Sequence, residues 1–210
     1  MSKLIMNTRE KILDKALEMF NEQGIEYVGL RELAAVLDMR VSNITYYFPT
    51  KDDLVYQLSQ ELRKKNATVI VARENMTMNG FLVMLHQVFQ HHVAFRCLLL
   101  SFVHLMEQNK FISASYKKTQ DLRNATIKSN IEVLATSGYL KLNDNDADKD
   151  YLVSTIALIS RFWISEAAIS FRKVSSAEQI RHYLILITKL MMPYATAKAK
   201  KEMQQFMEGL

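Results

Sequence analysis

The chain has 210 residues, 49% of them hydrophobic, with five Gly, two Pro and one Cys against twelve Met. So few turn-forming residues exclude a many-stranded fold, and the composition excludes collagen-like, low-complexity and disulfide-scaffold classes. The net charge of +5 is compatible with nucleic acid without demanding it. Residues 1–73 hold eleven Lys/Arg and ten Asp/Glu, so any nucleic-acid contact has to come from pattern, not bulk charge. Cys97 has no second cysteine to pair with, which fits a reducing cytoplasm. Residues 1–7 lack the apolar core of a signal peptide. The apolar run 93–106 is interrupted by Arg96 and the run 151–171 by Arg161 and Glu166, so no stretch is expected to cross a bilayer.

In chain order, Asn7 and Glu10 have the spacing of a capping box, and Ile12, Leu13, Ala16, Leu17 and Phe20 then form one apolar helical face. Gly24 stands where a left-handed residue would end that helix. A second short helix follows, with Leu30, Leu33, Ala34 and Leu37 inward and Arg31, Glu32 and Ala35 outward. Asp38, a residue that tolerates positive φ, takes the turn. A third helix runs over 41–48 with Ile44 and Phe48 on its inner side, and Pro49 stops it. Thr50 and Asp53 start a fourth, which Leu54, Leu58 and Leu62 carry through Arg63, Lys64 and Lys65 toward Arg73. Two short helices joined by a tight turn and braced by a preceding helix form a helix-turn-helix. Further helices are expected at about 79–91, 93–107, 111–137, 146–171 and 176–191. Gly138 closes the third of these, Ser175 and Glu178 cap the last, and Pro193 follows it. The stretch with Lys198, Lys200 and Lys201 reads as an amphipathic or fraying terminal helix.

Residues 7–54 resemble the DNA-binding domain of the tetracycline-repressor (TetR) family of bacterial transcription regulators. The resemblance rests on Gly24-Ile25, Leu33-Ala34, Asp38-Met39-Arg40, Thr45-Tyr46-Tyr47-Phe48 and Lys51 in matching register. Three polar positions depart: Gly29 replaces a Ser/Thr cap, Arg40 replaces a Ser cap, and Thr45 stands where the family places Tyr. The resemblance implies an all-helical protein in two parts. Residues 1–52 would be the helix-turn-helix DNA-binding domain and 53–210 a larger helical domain for effector binding and dimerisation.

On that register the DNA-binding residues are Arg31, Arg40, Val41, Ser42, Asn43, Thr45, Tyr46, Tyr47 and Lys51. Asn pairs with adenine and a Val methyl meets a thymine methyl in the major groove. Tyr46, Tyr47 and Lys51 are placed to hold phosphates, and Arg31 matches a family position that sometimes reaches a base. The competing reading of the two tyrosines is half-buried packing, and of Lys51 a solvated charge at a helix start.

The helices at about 146–171 and 176–191 are apolar beyond a single stripe: Leu152, Ile156, Ile159, Phe162 and Trp163 on one, Ile180, Leu184, Ile187 and Met191 on the other. Such helices lie either at the centre of one subunit or against a second. The resemblance favours a homodimer, which suits an inverted-repeat operator of double-stranded DNA. Phe81, Leu85, His86, Phe89, Phe102, His104, Tyr116, Phe162 and Trp163 either pack a core or line an apolar cavity for an unidentified small-molecule effector.

Asp144, Asp146, Asp148 and Asp150 alternate as in a calcium loop, but Lys149 and Thr155 stand where that loop requires Gly and Glu. His86, His91 and His92 lack metal-ligand spacing, and there is neither a phosphate loop nor a nucleophile turn. The expectation is therefore a cytoplasmic, non-enzymatic, ligand-responsive repressor without cofactor or metal. Its rival is a helical ligand-binding or interaction protein that keeps the helix-turn-helix scaffold with little DNA affinity.

Overall fold

The computed structural model describes residues 7–71, 74–143 and 146–210, and is helical throughout, with no strand among the described residues. Residues 1–6, Arg73 and Asp144 lie outside them, and with them the end expected for the fourth helix and the first acid of the Asp series. The described chain divides into two compact units, Met1–Lys64 with Phe95–Ser115, and Lys65–Ala94 with Tyr116–Leu210.

The first unit begins with α1 (Thr8–Gln23), whose capping box is formed in full: Asn7 Oδ1 accepts from Glu10 N at 2.9 Å and Glu10 returns the bond to Asn7 N at 3.2 Å. Gly24 ends α1 at φ 95°, ψ 145°; its φ is positive as expected, but this extended mirror region is one that only glycine adopts easily. A 3-10 turn (Ile25–Tyr27) leads to α2 (Leu30–Val36), and Asp38 at φ 51° links it to α3 (Val41–Tyr47). The core of the unit contains Ile12, Ala16, Phe20, Leu33, Ala34, Ile44, Phe48, Leu54 and Leu58, the inward set that helical spacing selects. Thr50 and Asp53 cap α4 (Lys51–Val69) reciprocally, Thr50 N donating to Asp53 at 3.0 Å and Asp53 N to Thr50 Oγ1 at 3.1 Å. α4 stops at Val69, short of the run toward Arg73 that the sequence reading extends to it.

Residues 95–115 return to the first unit, so it is larger than the segment 1–52 alone. The single helix expected over 93–107 is two: α6 (Arg96–Leu100) and α7 (Phe102–Gln108), while α5 (Met78–Ala94) runs three residues beyond 91. No Gly or Pro marks these breaks. Burial sets them: Phe95, Cys97 and Leu98 are all in the core of the unit, and Asn21 Oδ1 accepts from Cys97 N at 3.0 Å. Burial pushes the Cys97 thiol up to about 12, which leaves it protonated and inert.

The second unit holds α5, most of α8 (Lys110–Thr136), α9 (Ala147–Ser170), α10 (Ser176–Met191) and α11 (Ala197–Glu208). α9, α10 and α11 all approach α5, which is the centre of the unit. Gly138, at φ 73°, turns the chain out of α8, and Ser175 with Glu178 completes the expected capping box of α10. Residues 139–141 pair with 194–196: Lys141 N donates to Tyr194 O at 2.8 Å and Thr196 N to Tyr139 O at 3.0 Å. Thr196 caps α11, which runs as a regular helix on buried Ala199, Met203 and Phe206. Asp146 and Asp150 engage Lys149 and Lys128 at 2.6 and 3.2 Å, the solvated helix start that the Asp series is expected to make.

α9 corrects one expectation. By length and composition it is apolar enough to cross a membrane, because an 18-residue stretch of its 24 residues carries no more than two charges. Its place in the unit is that of a core helix, with Leu152, Val153, Ile156, Ala157, Ser160, Trp163, Ile164 and Ala167 buried.

Candidate nucleic-acid interface

α3 has one buried residue, Ile44, and Phe48 follows it into the core at the helix end. The rest of the helix is thereby turned outward. Val41, Ser42, Asn43, Tyr46 and Tyr47 are exposed, as are Arg40 before the helix and Arg31 on α2. Tyr46 is 80% exposed, and its ring meets that of Tyr47 edge-on with centroids 5.0 Å apart. Two large aromatic side chains held in water are an unusual use of apolar surface, and the half-buried packing reading does not apply to Tyr46. Tyr27, 81% exposed on the 3-10 turn, is a further such aromatic that helical spacing does not single out.

Three positions behave differently from a bare phosphate-contact scheme. Thr45 is half-buried and its hydroxyl donates to Ser42 O at 3.4 Å. Arg40 gives no side-chain cap to α3. Gly29 caps α2 through its backbone alone, and the Glu32 carboxylate accepts from its N–H at 3.1 Å.

Lys51 is also partly folded into the unit. Its Nζ lies 3.4 Å from Glu26 O and 5.9 Å from the centre of the Phe20 ring. Burial lowers its pKa, against support from Glu26, Asp52 and Glu32. Glu26 is held below the ordinary carboxylate range: burial opposes its charge, but the Ser101 hydroxyl, its own N–H, His104 and Lys51 outweigh that. Arg9 stacks over Phe48, 5.2 Å from the ring centre, and so braces the end of α3 from α1.

The residues expected around an effector fall in both units. Phe102 and His104 belong to the first unit, and His104 is exposed beside Glu26. The break after α5 begins the segment that contributes α6 and α7 to the first unit. Phe81, Leu85, His86, Phe89, Tyr116, Phe162 and Trp163 are in the second unit. Phe81, Leu85, Phe89 and Trp163 are buried, His86 and Tyr116 half-buried, and Phe162 exposed on α9. Phe89 and Trp163 stack at 4.8 Å, and the Trp163 Nε1 donates to Nδ1 of buried His92 at 3.2 Å. Burial, then Arg123 and His91, push the His92 pKa down to about 3, so its ring is the neutral acceptor.

The family model described as "TetR: Bacterial transcriptional repressor" matches residues 56–203, and that of the tetR-family regulatory N-terminus matches 12–58. Over 56 residues the chain is 36% identical to "Probable HTH-type transcriptional regulator YttP" of Bacillus subtilis (strain 168), a match covering 27% of each protein. A TetR-family transcriptional regulator from Marinobacter aquaeolei VT8 superposes with a TM-score of 0.88 at 21% identity, covering 97% of this chain and 98% of that one. A transcriptional regulator from Saccharomonospora viridis, in complex with choline, does so with a TM-score of 0.66 at 19% identity, over 83% and 92% of the two chains. The turn, the recognition helix and the family model over most of the chain agree, and the chain belongs to the TetR family of bacterial transcriptional repressors.

Proposed function

We propose that this chain is a cytoplasmic homodimeric repressor. It grips an inverted-repeat operator through α3 and lets go when a small molecule occupies the second unit. The observation that carries the reading is the outward face of α3, where Val41, Ser42, Asn43, Tyr46 and Tyr47 stand in solvent above buried Ile44 and Phe48. Asn43 and Val41 read bases, with Arg31 reaching a further one, while Tyr46, Tyr47, Arg40 and Lys51 hold phosphates. On this reading residues 1–52 carry the DNA contacts, and residues 53–210 carry the effector and dimer functions. The choline complex of the Saccharomonospora viridis regulator supports a small-molecule effector. An exposed apolar stripe on α9 (Tyr151, Leu158, Phe162 and Ile169) supports a subunit interface. No catalytic step, cofactor or metal is assigned.

Fluorescence anisotropy with labelled duplexes tiling the DNA upstream of the protein's own coding sequence tests this. Saturable binding to one duplex is expected, with log affinity falling linearly against log salt concentration. Binding with no preference over scrambled duplex of the same composition would overturn it.

A further inference from the structure

In the second unit, α8, α9 and α10 each contribute a buried polar atom without a hydrogen-bond partner, on Asn124, on Ser160 and Arg161, and on Tyr183. Tyr116, Arg123, Ile127 and Asn130 share one face of α8 by helical spacing. No described helix of the unit approaches the α8 backbone as extensively as α10 and α11 approach α5. From α9, the Arg161 guanidinium reaches over the Tyr116 ring at 5.6 Å and the Phe162 ring at 5.8 Å. Its Nε is shut off from solvent without an acceptor, and the Ser160 hydroxyl, the Tyr183 hydroxyl and Asn124 Oδ1 are equally closed off and unpartnered. Ser160 and Tyr183 are each 5% exposed.

These groups are connected. The Trp163 ring sits 5.4 Å from that of Tyr183 and is hydrogen-bonded to His92. Arg123 acts electrostatically on both His92 and Arg161. Burial lowers the Arg123 pKa, Tyr116 opposes that, and the like charge of Arg161 adds to it. Among the described residues, neither arginine takes part in an ion pair.

Each buried donor or acceptor left unmade is destabilising, and two neighbouring guanidinium groups with no carboxylate are more so. Native interiors rarely keep such a set empty-handed. We propose that Arg123 and Arg161, with Ser160 and Tyr183 behind them, form an oxyanion site for the carboxylate or phosphate head of a small amphipathic molecule, whose apolar body lies against Tyr116 and Phe162. Planar guanidinium forks match the paired oxygens of either head. A quaternary ammonium does not fit: both arginines repel it, and Phe89 and Trp163 are stacked on each other at an interplanar angle of 13° with no slot between them. The site rests on the effector reading above and specifies the chemistry of that effector.

Four probes with the same eight-carbon tail separate the possibilities: octanoate, octyl phosphate, octyltrimethylammonium and 1-octanol, all below their micelle-forming concentrations. Thermal unfolding and Trp163 fluorescence are the readouts. One or both anions are expected to raise the Tm saturably, the better of the two identifying the head, while the cation and the alcohol leave it unchanged. Arg123→Gln and Arg161→Gln should each weaken anion binding about tenfold or more. The ligand-free Arg123→Gln protein should be as stable as the wild type or more so, because an unpaired charge is gone. Absence of a shift with both anions, or an equal shift with the cation or alcohol, overturns the site. So does an Arg123→Gln protein of lowered Tm and unchanged anion affinity. Repeating the titrations on the DNA complex separates the two readings. Release by the cation or alcohol alone would keep an effector and discard the oxyanion site, whereas anion binding without release would keep the site and discard the effector role.

Discussion

Lys51 has two claims on it. Its ammonium touches Glu26 O and the Phe20 ring, so its stem packs within the first unit, yet Glu26, Asp52 and Glu32 around it do not fully bury the charge. Lys51→Met keeps most of that stem and removes the charge, which separates packing from phosphate contact. The variant is expected to unfold in urea close to the wild type, because burial already weighs against the charge it removes. Its operator affinity should fall for every sequence, with the salt slope reduced by roughly one. Asn43→Ala should instead relax preference at a single base position, at a cost of about 1–3 kcal/mol against the preferred base. Anisotropy titrations over a set of single-base operator variants check both. Equal losses for Asn43→Ala at every variant would refute base reading by that residue. At this scale the caps were legible, because Asn7–Glu10, Thr50–Asp53 and Ser175–Glu178 act across three residues and require no tertiary information. Lys51's attachment to Glu26 was not, since it joins residues 25 apart in sequence.

Between elements, the joint of α5 and α9 makes a pH-dependent contribution to stability. His92 accepts from Trp163 only while neutral, and burial above all keeps its pKa at about 3. An unfolded histidine titrates near 6.5, so as pH falls from there toward 3 the unfolded chain takes up a proton that the folded chain refuses. This contribution is complete above about pH 6.5 and is lost below it, by at most ~1.4 kcal/mol per pH unit. His92→Gln keeps an amide oxygen for Trp163 Nε1 and removes the titration. Urea unfolding followed by Trp163 fluorescence should give the variant a flatter stability profile than the wild type between about pH 6 and pH 5. Parallel profiles would show that His92 does not titrate in this way. His86 and His91, whose pKa values burial also lowers, are common to both proteins and cancel in the difference. Helical periodicity placed α5 and α9 within a few residues, but the breaks at Phe95 and Ser101 follow from burial in the first unit's core and leave no Gly or Pro to read. Phe102 and His104 of the expected effector set lie in the segment that these breaks divide, in the first unit. Arg123 and His92 escaped selection because their burial depends on which helix faces α8. Arg161 does carry a signal, a charge that interrupts the apolar run 151–160 of α9.

For the whole molecule, the double-sided apolarity of α9 leaves two readings open, and on the proposed function its exposed residues belong to a subunit interface. Leu152, Ile156 and Trp163 fill the core of the second unit, while Tyr151, Leu158, Phe162 and Ile169 form a stripe on another face, spaced seven, four and seven residues apart. Leu186 of α10 is also exposed. A two-fold interface buries the same stripe on both copies, so one substitution acts twice. Leu158→Glu combined with Phe162→Glu therefore places four carboxylates in the interface. Each substituted position is exposed in the single chain, so circular dichroism and the urea midpoint should change little. Sedimentation velocity at micromolar concentration should show a dimer for the wild type and a monomer for the variant. Operator affinity should then fall about 100-fold or more, because the second half-site is no longer captured intramolecularly. A wild type that sediments as a monomer, or a variant that stays dimeric with full affinity, would rule out this face as the interface.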